Sequence, residues 1–130
     1  NERLGSLLTL LMEQSWHPES VTISRKRLEL AAVKEYLDER FTEKIMLEEL
    51  AEKFFINKFY LSKIFRKTYG TTINNYLISK RITRAKQLLR FTDMTVDEVG
   101  AAVGMGDANY FSRMFRKVEG ISPRKYRKQW

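Results

Sequence analysis

The chain has no cysteine, one histidine, two prolines and six glycines among its 130 residues. Without cysteine there are no disulfides, no thiolate metal sites and no cysteine nucleophile, which suits a reducing compartment. The lone His17 lies in "WHPESVTIS", a break in the apolar pattern that reads as a linker, and it has no second histidine with which to share a metal ion. No glycine-rich phosphate loop is present, and the carboxylates are spaced like a solvated helix face. No catalytic residue, metal ligand or cofactor is therefore expected, and the chain does not read as an enzyme. No apolar run approaches the roughly 20 residues that cross a bilayer, and no secretory pattern opens the chain, so a membrane partner is not expected. The first residue is Asn1, not Met, which points to a piece of a longer protein.

What is abundant is positive charge. The chain carries 24 Lys+Arg against 16 Asp+Glu, a net charge of +8. That balance at this size favours an anionic partner. The charge is also unevenly placed. Residues 29–52 are mostly acidic, whereas from Lys53 to Thr92 there is no acid at all. From Ser112 to the end only Glu119 is acidic. Exposed helices gain from mixed charge pairs, so a long stretch without a carboxylate suggests a surface kept for an anion.

Apolar residues make up 43% of the chain, enough for real cores, and recur with a helical period, which predicts an all-α fold. A first helix is expected over residues 4–15, with Leu4, Leu7, Leu8, Leu11 and Met12 as its stripe. Ser24 can cap a second helix running to Arg40, with Leu28, Ala31, Ala32, Tyr36 and Leu37 on one side. Helices then follow over 47–54, 58–68 and 73–90, with Gly70 as a left-handed stop. Thr95 and Glu98 form a capping-box pattern opening a helix to Val103. Asp107 caps a helix to Val118, Gly120 ends it, and Ser122-Pro123 opens the last helix.

Two of these segments are copies. "LEELAEKFFINKFYLSKIFRKTYG" lies over "VDEVGAAVGMGDANYFSRMFRKVEG", with one residue inserted in the second turn. Each copy is a helix, a tight turn and a second helix, followed by the start of a third, where Tyr76 and Tyr126 align. A steep crossing needs a small residue in the first helix, and Ala51 and Gly100 occupy that place. The turn often takes glycine; Gly104 fits, while Phe55 stands at the equivalent position.

The second helix of each copy has two faces. Leu61, Ile64, Phe65 and Thr68 are expected inward, as are Phe111, Met114, Phe115 and Val118. The outward faces carry Phe59, Ser62, Lys63 and Arg66, then Ala108, Asn109, Ser112, Arg113 and Arg116. Small polar groups and cations on a helix face suit the major groove of DNA. Arg and Lys can donate to guanine, Asn can pair with adenine, Ser can read either, and Phe59 can touch a thymine methyl or serve as a rim of the core. Phosphate partners are expected at Lys58, Arg66, Lys67, Lys80, Arg81, Arg116, Lys117, Arg124 and Lys125. Two other readings stay open: a helical protein-interaction module, or an RNA binder using "RKYRKQW". Most aromatics fall on inward stripes, which leaves few for stacking on RNA bases.

"GMGDANYFSRMFRKVEGISPRKYR" resembles the C-terminal signature of AraC/XylS-type bacterial transcription regulators, through Gly104, Asp107, Tyr110, Phe111, Arg113, Phe115, Lys117, Gly120, Ser122, Pro123, Tyr126 and Arg127. "LEELAEKFFINKFYLSKIFRKTYGTTINNYL" resembles that family's first helix-turn-helix and "RITRAKQLL" its connecting helix. The resemblance covers about residues 28–130 and implies two helix-turn-helix subdomains joined by a rigid helix. Two recognition helices would read successive major-groove segments of double-stranded DNA, about 10 base pairs apart. By motif position the base-facing residues are Phe59, Ser62, Lys63, Ala108, Asn109, Ser112 and Arg113. The implied organisation is residues 1–23 as the end of a sensor or dimerisation domain plus linker, 24–80 as the first subdomain, 81–92 as the later linker helix and turn, and 93–130 as the second. The resemblance further implies a cytoplasmic, nucleoid-associated bacterial activator that contacts RNA polymerase and forms a homodimer through its N-terminal helix. Met46, where a Ser or Thr cap is usual, and Phe55 depart from the family pattern.

Overall fold

The computed structural model describes residues 18–130. The helix expected over 4–15 lies outside them. Among the described residues there are seven helices and no strand. They are α1 (Pro18–Arg40), α2 (Leu47–Lys53), α3 (Lys58–Tyr69), α4 (Ile73–Phe91), α5 (Val96–Ala102), α6 (Ala108–Glu119) and α7 (Pro123–Lys128). A compact unit spans Glu35–Trp130, so the end of α1 belongs to it and the earlier part of α1 to a separate unit.

Two expectations for α1 are corrected. The stretch read as a linker is helical from Pro18. The buried stripe is Leu30, Val33 and Leu37, while Ala31 and Ala32 are exposed. Alanine suits any helix face, so it gave no information about which side turns inward.

The other boundaries follow local chemistry. Thr95 and Glu98 close a reciprocal capping box, in which Thr95 N–H donates to the Glu98 carboxylate at 2.8 Å and Glu98 N–H donates to Thr95 Oγ1 at 3.1 Å. The Ser122 hydroxyl accepts from Lys125 N–H at 3.2 Å, with Pro123 in the first turn, where its missing N–H costs nothing.

The core of the second half is continuous. Ile78, Ile82, Ala85 and Leu89 from α4 meet Val99, Val103, Met105, Phe111 and Phe115. The first half buries Leu50, Ala51, Leu61, Phe65 and Leu77. The duplicated tyrosines do equivalent work. Tyr76 lies edge-on to Phe65 with centroids 5.7 Å apart, and Tyr126 lies edge-on to Phe115 at 5.6 Å. The inward stripes of α3 and α6 run out before the helices end: Thr68 and Val118 are exposed, Val118 at 46%.

Candidate nucleic-acid interface

α3 and α6 are built alike. Each has 12 residues. Asn57 Oδ1 accepts from the N–H groups of Phe59 and Tyr60 at 2.9 and 3.2 Å; Asp107 Oδ1 accepts from Tyr110 N–H at 3.0 Å. Each helix ends on a left-handed glycine, Gly70 (φ 74°) and Gly120 (φ 84°), whose N–H donates to the carbonyl of Arg66 or Arg116.

The turns ahead of them also match. Phe55 N–H donates to Glu52 O at 3.2 Å and Ile56 N–H to Ala51 O at 2.9 Å. Gly104 N–H donates to Ala101 O at 3.2 Å and Met105 N–H to Gly100 O at 2.8 Å. Phe55 therefore adopts the turn that Gly104 adopts, with φ 55° against 89°. The helix crossing is tightest in the second half, where a Cβ on Gly100 would lie 2.9 Å from the Met105 carbonyl oxygen and from the Phe111 ring.

Of the expected base-facing residues, Phe59, Ser62, Lys63, Ala108, Asn109 and Arg113 are exposed, Phe59 at 73%, and Ser112 is half-buried. The outward face of α3 is concave. Phe59, Ser62, Lys63 and Arg66 line one side of a cleft of about 540 Å³, completed by Thr72, Ile73 and Asn74 at the start of α4 and by Ile45, Leu47 and Leu77. Thr72 and Asn74 were not anticipated from the sequence. Laying Asn74 over Arg124 at the spacing that relates Tyr76 to Tyr126 would have found the latter. On α6 Arg113 lies 5.9 Å from the Tyr110 ring centroid.

Arg66, Lys67, Arg116, Lys117, Arg124 and Lys125 are exposed, as phosphate partners must be. Lys58 is half-buried and pairs with Glu48 at 3.5 Å. Such a surface pair contributes only about 0–1 kcal/mol, so a phosphate can displace the carboxylate.

Two of the expected phosphate partners also bind groups of the protein itself: Lys80 forms a partly exposed ion pair, as Lys58 does, and Arg81 holds backbone carbonyls. The Lys80 ammonium pairs with Asp38 at 3.3 Å, and Asp38 also accepts from the Tyr76 hydroxyl. The Arg81 guanidinium donates to the carbonyls of Phe41 and Glu43, the latter at 2.9 Å. Burial pulls the Arg81 guanidinium below its ordinary value, and neighbouring Tyr110 acts in the opposite direction. Both carbonyls follow the C-terminal end of α1, where a cation is stabilising. Arg127 repeats the device, donating to the carbonyls of Leu89 and Thr92 at the end of α4, at 2.9 and 3.3 Å. Sequence position alone does not separate an arginine that staples a helix end from one that faces solvent.

Among the described residues no group of His, Asp and Glu is placed to hold a metal ion, and no helix is long and apolar enough to cross a membrane. The architecture is thus a pair of basic helix-turn-helix units sharing one long helix, the class of fold that presents recognition helices to DNA.

Comparison with known proteins agrees. A family profile described as a helix-turn-helix domain matches residues 50–129. The chain is 41% identical over 109 residues to the HTH-type transcriptional regulator YijO of Escherichia coli, covering 84% of this chain and 38% of that protein. Its fold is similar to the C-terminal domain of the two-component response regulator yesN from Fusobacterium nucleatum, with TM-score 0.71 and 35% identity over 75% of this chain and 95% of that one. It is also similar to the DNA-binding domain of the global transcriptional factor AdpA, solved in complex with a target DNA, with TM-score 0.73 and 30% identity over 77% and 90% of the two chains. The chain belongs to the AraC-type helix-turn-helix family of transcription regulators. It spans less than half the length of the curated relatives it matches, 38% of YijO and 42% of the activator RhaS of Salmonella schwarzengrund.

Proposed function

We propose that this chain is the sequence-reading part of a transcription regulator, with α3 and α6 entering successive major-groove segments on one face of double-stranded DNA. The observation that carries this reading is the equivalence of the two helices. They share length, caps and turn hydrogen bonds, and both present a serine and two cations outward at matching positions: Ser62, Lys63 and Arg66 on α3, Ser112, Arg113 and Arg116 on α6. Phe59, Ser62 and Lys63 read the first segment. Asn109, Ser112 and Arg113 read the second, with Ala108 close to the bases. Lys58, Arg66, Lys67, Lys80, Arg116, Lys117, Arg124 and Lys125 hold phosphates and give affinity and salt dependence. Contact with RNA polymerase and pairing through the segment ahead of α1 belong to the same reading and rest on the family resemblance.

Selection of bound sequences from a random duplex library, with this chain alone, tests it. Two short motifs centred about 10 base pairs apart are the expected outcome. Arg113→Ala should then lose preference at one base pair, at a cost of ~1–3 kcal/mol on the selected site. An equal loss on every sequence would make Arg113 a phosphate contact and remove it from the reading set.

A further inference from the structure

The two readers are joined by α4, which packs against α3 in the first half and against α5, α6 and α7 in the second. A single helical connection can still bend gently along its length. A second contact, away from that axis, removes this freedom. The structure has such a contact at residues 41–43, the first half of the short loop that leads from α1 to α2.

Two observations converge on this loop. Arg81, on α4, donates to the carbonyls of Phe41 and Glu43 and so grips the loop on both sides of Thr42. The backbone of Thr42 lies against Gly104, the turn glycine of the second half; a Cβ at Gly104 would come closer to the Thr42 carbonyl than real Cβ atoms approach an oxygen.

We propose that Arg81 and Gly104 form a spacing lock: the loop at Thr42, held by Arg81, abuts the turn of the second reader and fixes the distance and rotation between α3 and α6. Arg81 and Gly104 are then positioning residues for the separation of the two half-sites on DNA. This inference rests on the two-reader function proposed above.

The chain supplies its own controls. Gly120 has a positive φ of 84°, close to the 89° of Gly104, but nothing lies within 4 Å of where its Cβ would be. Gly120→Ala therefore carries the backbone strain without the collision. Arg81→Met removes the grip on the loop and leaves the turn untouched. Arg81→Lys keeps the charge but loses the paired donors.

The experiment measures affinity for the selected duplex and for duplexes with one base pair added or removed between the half-sites, at fixed salt, for each variant that melts cooperatively. The wild-type chain should favour one spacing. Gly104→Ala and Arg81→Met should lower the ratio between optimal and shifted sites by roughly tenfold, a typical coupling between two sites on one protein. Each half-site's base preference should stay as it was, and Gly120→Ala should keep the wild-type ratio. If Gly104→Ala does not fold, the two Arg81 variants decide alone, with Arg81→Lys expected between wild type and Arg81→Met. Unchanged ratios in folded Gly104→Ala and Arg81→Met, or equal flattening in Gly120→Ala, would overturn the lock while leaving two readers standing. Two selected motifs with no spacing preference in the wild-type chain would likewise overturn only the lock. A single selected motif would overturn both the lock and the two-reader function.

Discussion

The two turns carry the same hydrogen bonds and the same sense of φ, yet one holds glycine and the other phenylalanine. Phe55 is 96% exposed, so its side chain meets nothing, and only the left-handed backbone opposes it. That opposition costs about 1–2 kcal/mol, which a folded domain can absorb. Gly104 faces the same backbone condition and, in addition, the Thr42 carbonyl. A side chain there would have to displace main chain. Strain in one dihedral is therefore negotiable in this fold, whereas a backbone approach is not. The asymmetry extends along the first helix of each copy. α2 opens on Met46 with no side-chain cap, while α5 opens on a full capping box. Phe54 and Ile56 are half-buried where Val103 and Met105 are fully inside. The second half obeys local rules that the first half relaxes.

The largest expected effect comes from forcing the second crossing to match the first. Gly100→Ala should destabilise by about 1–3 kcal/mol, because the new methyl overpacks against the Met105 carbonyl and the Phe111 ring. Ala51→Gly, the reverse exchange, should cost only ~1 kcal/mol through helix propensity. Denaturant titration of both variants decides; a neutral Gly100→Ala would mean that the second crossing relaxes and that the halves differ less than their packing indicates.

The next effect has the opposite sign. Phe55→Gly should stabilise by about 1 kcal/mol, since the exposed ring gives up no burial and glycine accepts the left-handed backbone freely. Chemical melts compare it directly with wild type. A loss of stability would show that Phe55 makes a contact which its exposure does not reveal.

Much of this architecture was legible in the sequence, and the reasons are physical. Thr95, Asp107 and Ser122 announce helix starts because their side chains replace a missing backbone acceptor, and Gly70 and Gly120 announce ends because only glycine takes the left-handed stop cheaply. The outward faces of α3 and α6 were legible because a repeat tests itself: a cation kept in register at 63 and 113, and again at 66 and 116, is exposed in both copies. What escaped were choices that depend on distant partners. Arg81 read as one more surface cation, but the carbonyls of Phe41 and Glu43 arrive from the loop after α1 to hold it. Thr68 and Val118 fit the inward period, yet the core ends one turn before their helices do. The stripe of α1 was misplaced because alanines at 31 and 32 look apolar without needing burial.

A smaller effect lies at the uncapped helix. Met46 is 44% exposed, and its backbone is already extended, with φ −104° and ψ 141°, as a cap requires. Met46→Ser should add about 1 kcal/mol, since a hydroxyl there meets orphan N–H groups and stands three residues before Glu49, completing the box that α5 already has. No gain in a thermal melt would mean that the first turn of α2 is held by something other than its cap.

The smallest effect is the one that pH can isolate in the second half. The Glu98 carboxyl is held below its ordinary value, first by the backbone N–H of Thr95 and then by the Thr95 side chain. A carboxyl depressed in the folded state stabilises it above the unfolded-state value, and that contribution is lost as pH falls through the folded value. Glu98→Gln keeps an oxygen for the Thr95 N–H but removes the charge. Wild type should therefore exceed Glu98→Gln in stability at neutral pH, and the two should converge in acid as the Glu98 carboxylate takes up its proton. Glu98 is fully exposed to solvent, so the gap should be small and should shrink with added salt. A gap that stays constant from neutral to acid pH would assign the capping box to geometry alone, and the charge at Glu98 would then have no part in the greater local order of the second half.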